Sequence, residues 1–281
     1  MKRRYKLLIG FLITAVILIF IFFITKDKKI YYLSLGDSLS VGQSPYNDIN
    51  KSYCDYVASY LKEKNILEFY TKNFSNSNYR SIDLLNDLKE NKEIIIDDKK
   101  ISIKHALIKS DLVTVSVGAN DLFYKLNIGN EFKGNDFTNI YTYVDEVILD
   151  IDKLLFELRK SCKEQIMVLG FYNPFINYSH DLATSVEPVI LYANNKLEDL
   201  VNKYDMTYVD IHNSFLNNAD YLPDILDVHP TKKGYKAIAN QVIKLIDKKT
   251  LAKWYNTCYN IKDFISMTLV ESWRKELRKY A

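Results

Sequence analysis

Residues 31–39 read Tyr-Tyr-Leu-Ser-Leu-Gly-Asp-Ser-Leu, an apolar run that ends at a glycine and continues with an aspartate and a serine. The run predicts a buried strand of a parallel sheet, because such strands are apolar on both faces. Gly36 permits a tight turn into a helix, and Ser38 would lift its hydroxyl above the sheet edge with its own N–H free. Since α/β sheets place their chemistry at the carboxyl ends of strands, the stretch predicts a fold class and a nucleophile. On its own it also suits an ordinary turn.

A second apolar, β-branched run has the same layout. Val113–Val117 is followed by Gly118, Asn120 and Asp121. The side-chain amide of an asparagine just past a strand can donate a hydrogen bond to a developing oxyanion. Taken alone, the segment is equally typical of a turn.

A third segment places a histidine before a predicted helix. Asp227, Val228, His229 and Pro230 precede the helical periodicity of residues 233–248. Proline fixes the chain that leaves His229, and a nearby carboxylate could hold the imidazole in the tautomer that accepts a proton from a serine.

A similar pair, Asp210 and His212, also follows an apolar run. It lacks the proline, threonine and helix that follow His229. We therefore interpret His212 as a surface or sheet-end residue beside the fifth strand.

Apolar periodicity predicts alternating strands and helices between residues 30 and 248. Strands are expected near Tyr31–Leu35, Glu68–Asn73, Leu112–Val117, Gln165–Gly170 and Met206–Ile211. Helices are expected near Tyr53–Lys64, Ile82–Glu90, Tyr141–Cys162, Pro188–Lys203 and Lys233–Lys248. This alternation predicts a parallel sheet covered by helices on both faces, with the motifs around one crevice at its carboxyl edge.

Taken together and in this order, the motifs resemble those of the GDSL or SGNH family of serine hydrolases, over roughly Tyr31 to Lys248. The resemblance implies a three-layer α/β/α, flavodoxin-like fold with a five-stranded parallel sheet. It implies Ser38 as nucleophile, His229 as general base, and the Asn120 amide with the Ser38 N–H in the oxyanion hole. The residues expected to support the site are Gly36, Asp37, Gly118 and Asp121. No metal and no cofactor are implied.

One departure from the family pattern concerns the glycine that donates its N–H to the oxyanion. Within Asn73–Ser81, Asn78 stands where the family's Ser-Gly pair has its glycine. Asparagine tolerates a left-handed conformation, so we expect its N–H to serve the oxyanion hole. Its side chain is expected to crowd the acyl site.

The second departure is the interval between the acid and the histidine. The common pattern is Asp-x-x-His, but this chain has Leu226 at that place, and the nearest carboxylate belongs to Asp227. A triad is defined by geometry, so Asp227 is the favoured third member. Asp224 and a backbone carbonyl remain alternatives for orienting His229.

The resemblance implies a carboxylic ester hydrolase that uses a Ser-His-Asp acyl-enzyme mechanism. Its substrate would be a lipid-like acyl ester or an O-acetyl group of an envelope glycan. Aromatic residues that could line an apolar substrate cleft are Phe123, Tyr124, Phe171, Tyr172 and Phe175. The alternative is a catalytically inactive, membrane-anchored binding module for cell-envelope glycan, which both departures favour.

The N-terminus predicts a membrane anchor, and the high content of Lys, Asn, Ile and Tyr with few Gly and Pro is typical of a bacterial protein. A basic tail precedes the uncharged apolar run Leu7–Thr25, which is long enough to span a bilayer core and has no Ala-x-Ala-like cleavage site. The basic tail should stay in the cytoplasm, so residues 1–29 form a tail and signal anchor and the hydrolase domain at 30–248 faces the extracellular side. If the leader is cleaved, the protein is secreted.

Composition narrows the remaining possibilities. A net charge of +3 with dispersed lysines argues against nucleic acid as a partner, and three cysteines without metal spacing imply neither a zinc site nor a disulfide framework. Residues 249–281 are expected to form an amphipathic helical extension. The segment Ile94–Ile103 predicts a hairpin, which either overhangs the active site or forms a surface ribbon.

Overall fold

The computed structural model describes residues 29–127, 138–177, 180–216, 218–223 and 227–248. Within these ranges, no helix is both long enough and apolar enough to cross a bilayer. Three predictions fall outside them: the membrane anchor at residues 7–25, the C-terminal extension at 249–281, and Asp224 as a partner for His229.

A five-stranded parallel sheet forms the centre of the described chain. The strands are β1 (Ile30–Gly36), β2 (Leu67–Thr71), β5 (Leu112–Ser116), β6 (Gln165–Leu169) and β7 (Thr207–Val209). They lie in the order β2-β1-β5-β6-β7. This is the flavodoxin-like order, whose topological switch point lies between β1 and β5. The predicted fold is confirmed, and the switch point is where the serine and asparagine motifs leave the sheet.

Helices cover both faces of this sheet. The helices are α1 (Ser38–Val41), α2 (Tyr53–Glu63), α3 (Ser81–Glu90), α4 (Ile103–Lys109), α5 (Ala119–Lys125), α6 (Ile140–Ser161), α7 (His180–Lys203), α8 (His212–Phe215) and α9 (residues 232–248). Apolar side chains of α2 and α9 pack on one face of the sheet, and those of α3, α4, α6 and α7 pack on the other. Burial of these two apolar interfaces holds the three layers together.

Helix α7 begins eight residues earlier than predicted. Its predicted start, Pro188, lies inside the helix, although proline removes a backbone donor there. Val186 and Ile190 on either side are buried in a cluster with Phe175. Tertiary packing of this apolar face therefore outweighs the local effect of the proline.

The predicted hairpin is confirmed. Strands β3 (Glu93–Ile96) and β4 (Lys99–Ser102) are antiparallel, and both turn residues, Asp97 and Asp98, have positive φ, as tight hairpin turns require. Ile94 and Ile101 pack against the core.

Candidate active site

The turn after β1 is shaped by close contact with β5. Gly36 has a φ of 138°, and a Cβ there would lie 2.1 Å from the Ser116 carbonyl oxygen, so only glycine fits. The Asp37 N–H donates to that same oxygen at 3.0 Å. The Asp37 carboxylate accepts hydrogen bonds from Leu39 N at 3.1 Å and Ser116 Oγ at 2.8 Å. These contacts cap α1 and fix the position of Ser38.

Ser38 is the first residue of α1, and only 9% of its surface is exposed. Its N–H has no partner within the helix, because the first N–H groups of any helix lack one. From α9, the Tyr235 hydroxyl donates to Gln43 O at 2.6 Å, which ties down the chain just beyond α1. Burial raises the pKa of the Asp37 carboxyl to about 7.

Five of the predicted site residues line one cavity at the carboxyl edge of the sheet. Asp37, Ser38, Asn78, Asn120 and His229 come from four different segments and border a volume of about 200 Å³. No residue of the β3–β4 hairpin borders it, so the idea that the hairpin overhangs the active site is wrong. The ribbon interpretation of the hairpin stands.

Asp227 holds the His229 ring. Its Oδ1 lies 2.6 Å from His229 Nδ1 and accepts the His229 backbone N–H at 2.7 Å. One carboxylate oxygen thus fixes both the backbone and the ring across an interval of only two residues. Among the described hydrogen bonds, none joins the Ser38 hydroxyl to the His229 ring; such bonds are often long in unliganded enzymes and shorten when substrate binds.

Tyr172, just beyond β6, supports the histidine loop from the other side. Its hydroxyl donates to Val228 O at 2.6 Å, directly before His229, and its ring stacks on Phe215 at 4.2 Å between centroids. Tyr172 is therefore a positioning residue for His229. The sequence predicted only an aromatic lining role for it.

We expect Tyr172→Phe to lower kcat by roughly 2- to 10-fold with little change in KM, because a single hydrogen bond is lost while the ring still packs. Steady-state kinetics on a p-nitrophenyl ester measure both. Tyr60→Phe, which removes a hydroxyl bonded to Asp247 far from the cavity, is the matched control. A rise in KM at constant kcat would show that Tyr172 contacts substrate instead.

The asparagine motif clamps the loop that follows β2. Asn120 Nδ2 donates to Ser77 O at 3.1 Å and to Tyr79 O at 2.9 Å. The Asp121 carboxylate accepts Ser81 N at 2.9 Å and Ser81 Oγ at 2.5 Å, and burial raises its pKa. Both amide hydrogens of Asn120 are therefore in use, and an oxyanion would have to replace one of the carbonyls.

If the predicted oxyanion role of Asn120 holds, Asn120→Ala should lower kcat by about 100-fold or more, the usual cost of losing one oxyanion donor. It should also lower the melting temperature, because two loop contacts are lost. Kinetics and thermal unfolding are measured on the same preparation. A fall in melting temperature with less than a tenfold change in kcat would show that Asn120 is only a clamp.

Asn78 borders the cavity but does not adopt the expected left-handed conformation: it is not among the described residues with positive φ. Its N–H donates to Asn76 Oδ1 at 3.3 Å, and Asn76 N donates to Gly36 O at 3.0 Å. The side chain of Asn76 thus builds the turn, so Asn78 keeps an ordinary φ. Its oxyanion role stays a prediction.

His212 is buried rather than exposed at the surface, with 5% of its surface accessible. Its Nε2 lies 2.8 Å from Glu187 Oε1, and Glu187 Oε2 accepts Asn173 Nδ2 at 2.9 Å. The pair lies between α7 and α8. His212 does not border the Ser38 cavity, which is compatible with its exclusion from the catalytic set. Of its two predicted positions, the sheet end is correct, because His212 follows β7, and the surface is wrong.

Asn194 of α7 is a supporting residue that the sequence analysis missed. Its Oδ1 accepts Phe171 N at 2.8 Å and its Nδ2 donates to Phe171 O at 2.9 Å. These two hydrogen bonds fix the Phe171 backbone beyond the end of β6, in place of a neighbouring strand. An asparagine within the apolar face of a helix was the only available signal.

The aromatic residues expected in a cleft divide into two groups. Phe123, Phe171 and Tyr172 border the Ser38 cavity, and Phe175 borders a second cavity next to it. Tyr124 points outward with 71% of its surface exposed, under the Arg80 guanidinium, so its predicted place in the cleft was wrong.

No cluster of metal-ligating side chains occurs in the part of the chain that the structure describes.

Comparison with known proteins agrees with this geometry. Residues 34–237 match the model of a family described as GDSL-like Lipase/Acylhydrolase. The uncharacterized protein YpmR of Bacillus subtilis (strain 168) is 26% identical over 235 residues, which cover 82% of this chain and 86% of YpmR.

Solved structures share the fold. The lipase Lip_vut3 from a goat rumen metagenome has a TM-score of 0.57 at 23% identity, over 76% of this chain and 95% of its own. Axe2, an acetylxylan esterase from Geobacillus stearothermophilus, has a TM-score of 0.54 at 16% identity, over 78% and 95%.

Proposed function

The chain belongs to the GDSL-like lipase/acylhydrolase family, and from that membership and the site geometry we propose that it is a serine esterase that forms an acyl-enzyme on Ser38. The observation that carries the proposal is the convergence of Ser38, Asn78, Asn120 and His229 on one cavity, with Asp227 bonded to the histidine ring. Each residue type matches a role that acyl transfer needs.

In acylation, His229 Nε2 accepts the proton of the Ser38 hydroxyl as its oxygen attacks the ester carbonyl. Asp227 at Nδ1 fixes the tautomer that leaves Nε2 free to accept. The tetrahedral intermediate then collapses, and the imidazolium gives its proton to the departing alkoxide, so the alcohol leaves. Water, deprotonated by His229, attacks the acyl-enzyme, and the imidazolium returns the proton to Ser38 Oγ as the Ser38–acyl bond breaks and the acid leaves.

The oxyanion hole in this proposal forms in two stages. The Ser38 N–H is available from the start, because it begins α1. The Asn120 amide and the Asn78 N–H are held by oxygens of the 76–79 loop. A small shift of this loop transfers them to the oxyanion, which accepts more strongly because it is charged.

The substrate class remains between two ester types. The two types are lipid-like acyl esters and O-acetyl groups of envelope glycans, and the structural neighbours include a lipase and an acetylxylan esterase. The cavity has an aromatic side, with Phe123, Phe171 and Tyr172, and this favours an acyl group larger than acetate.

We place the protein at the membrane, anchored by residues 7–25 with the esterase domain outside. In that arrangement the chain leaves the anchor and enters β1 at Ile30, while Ser38 follows the far end of that strand. The seven residues of β1 place Ser38 roughly 20 Å from the start of the strand at Ile30. In this proposal the substrates are esters of the cell envelope.

The experiment is to separate cells that express the full-length protein into membrane and soluble fractions, to label both with a fluorescent fluorophosphonate and to follow hydrolysis of p-nitrophenyl esters. We expect Ser38-dependent labelling in the membrane fraction and Ser38-dependent turnover. Label found only in the soluble fraction would refute the anchor. A folded protein with neither label nor turnover would refute the esterase.

A second candidate function is an inactive binding module for envelope glycan. It is favoured by one observation: the Asn120 amide and the Asn78 N–H, which the esterase needs as oxyanion donors, already bond to oxygens of the 76–79 loop. This candidate predicts glycan binding that Ser38→Ala leaves unchanged, which calorimetry with envelope glycan fragments measures.

A further inference from the structure

A second cavity lies beside the Ser38 cavity, between α5, α6 and α7. It has a volume of about 80 Å³, and none of the described residues that border it is charged. Side chains of the three helices that form its wall include Leu122, Ile140, Val144, Val189, Ile190 and Ala193. A site of this composition accepts hydrocarbon and offers nothing to a sugar hydroxyl.

The two cavities share a wall. Both are bordered by Ala119, Phe123, Phe171, Tyr172 and Pro174. The Phe171 ring lies against Gly118, where a Cβ would come within 2.9 Å of it. Asn194 fixes the Phe171 backbone from α7. The second cavity therefore adjoins the Ser38 cavity along these shared side chains.

We propose that this cavity, which we call the acyl pocket, receives the acyl chain of the ester. The proposal rests on the esterase function proposed above and narrows its substrate to esters of short- to medium-chain fatty acids. An acetyl group, held at Ser38, would leave the acyl pocket empty. An unfilled apolar cavity lowers stability, so a cavity adjoining a reactive serine indicates a binding role.

The volume sets the chain length. An apolar cavity of about 150 Å³ accommodates benzene, with six carbons, so the acyl pocket suits roughly three or four. The first two or three carbons of the chain would still lie in the Ser38 cavity. The best substrates should therefore carry about six carbons.

The test is the dependence of kcat/KM on chain length with p-nitrophenyl acetate, butanoate, hexanoate, octanoate and dodecanoate. Each methylene that enters the acyl pocket should raise kcat/KM by about fourfold, the equivalent of its burial free energy. We expect hexanoate to exceed acetate by at least about tenfold, with a decline by dodecanoate.

Two variants alter the pocket in opposite directions. Ala193→Leu fills it and should lower kcat/KM for hexanoate by roughly tenfold or more while acetate is little affected. Val144→Ala enlarges it and should move the optimum toward octanoate. The matched control is Ala183→Leu, the same change on the same helix at a residue that borders another groove.

The outcomes separate this proposal from the one on which it rests. Loss of all Ser38-dependent turnover would overturn the esterase function. Turnover that is highest for acetate, or flat with chain length, would overturn only the acyl pocket. An equal reduction of acetate and hexanoate turnover in folded Ala193→Leu would also overturn only the acyl pocket. If Ala193→Leu fails to fold, the wild-type profile and Val144→Ala decide.

Discussion

Replacement of Ser38 by alanine should lower kcat for any p-nitrophenyl ester by roughly 10⁵- to 10⁶-fold, the loss typical of a removed serine nucleophile. The geometry explains the size of the effect, because Ser38 is the residue that the turn after β1 presents to the cavity. Gly36, Asp37 and Ser116 fix that turn through contacts of 3.0 Å or less. The Ser38 hydroxyl contributes little to packing, so Ser38→Ala should still fold.

Ser185→Ala is a suitable control for this experiment. It removes a hydroxyl that bonds only to its own helix, and it should leave kcat unchanged. Thermal unfolding of both variants should match that of the wild type within a few degrees. Residual turnover of Ser38→Ala within tenfold of wild type would require a different nucleophile.

His229→Ala should be about as damaging as Ser38→Ala, and the double variant should lose little more. Members of a triad act as one unit, so their effects do not add. Asp227→Asn should be milder, with kcat reduced by about 10⁴-fold, because the ring loses the carboxylate that fixes its tautomer. Measurement of kcat for the three variants and the double variant tests the whole unit.

Asp220→Asn provides the comparison for the aspartate. Asp220 is exposed and paired with Lys233, and its replacement should not change kcat. If Asp227→Asn behaved like Asp220→Asn, a backbone carbonyl or Asp224 would have to orient the ring. Additive losses in the double variant would mean that Ser38 and His229 act independently.

Strongly periodic segments predicted the sheet and most of its helices correctly. The runs before Gly36 and Gly118 are rich in apolar and β-branched residues, end at a glycine and are buried, a pattern typical of a central parallel strand. The motifs also follow the strands that meet at the switch point, so their convergence on one cavity followed from topology. Local sequence was therefore sufficient to predict features that depend on a single strand or helix.

Contacts between distant segments were not predictable. The clamp of Asn120 on the 77–79 loop depends on how closely α5 approaches the loop after β2, and Asn194 acts on Phe171 from 23 residues away. The burial of His212 depends on Glu187, which lies on another helix. Helix α7 continues through Pro188 because its apolar face is buried by residues remote in sequence.

Peptide mapping of the fluorophosphonate adduct tests the central claim most directly. Wild-type protein is inactivated, digested and analysed by mass spectrometry, with loss of esterase activity followed in parallel. We predict a single adduct on Ser38, formed in proportion to the activity lost. An adduct on another residue, or full inactivation without modification of Ser38, would contradict the account.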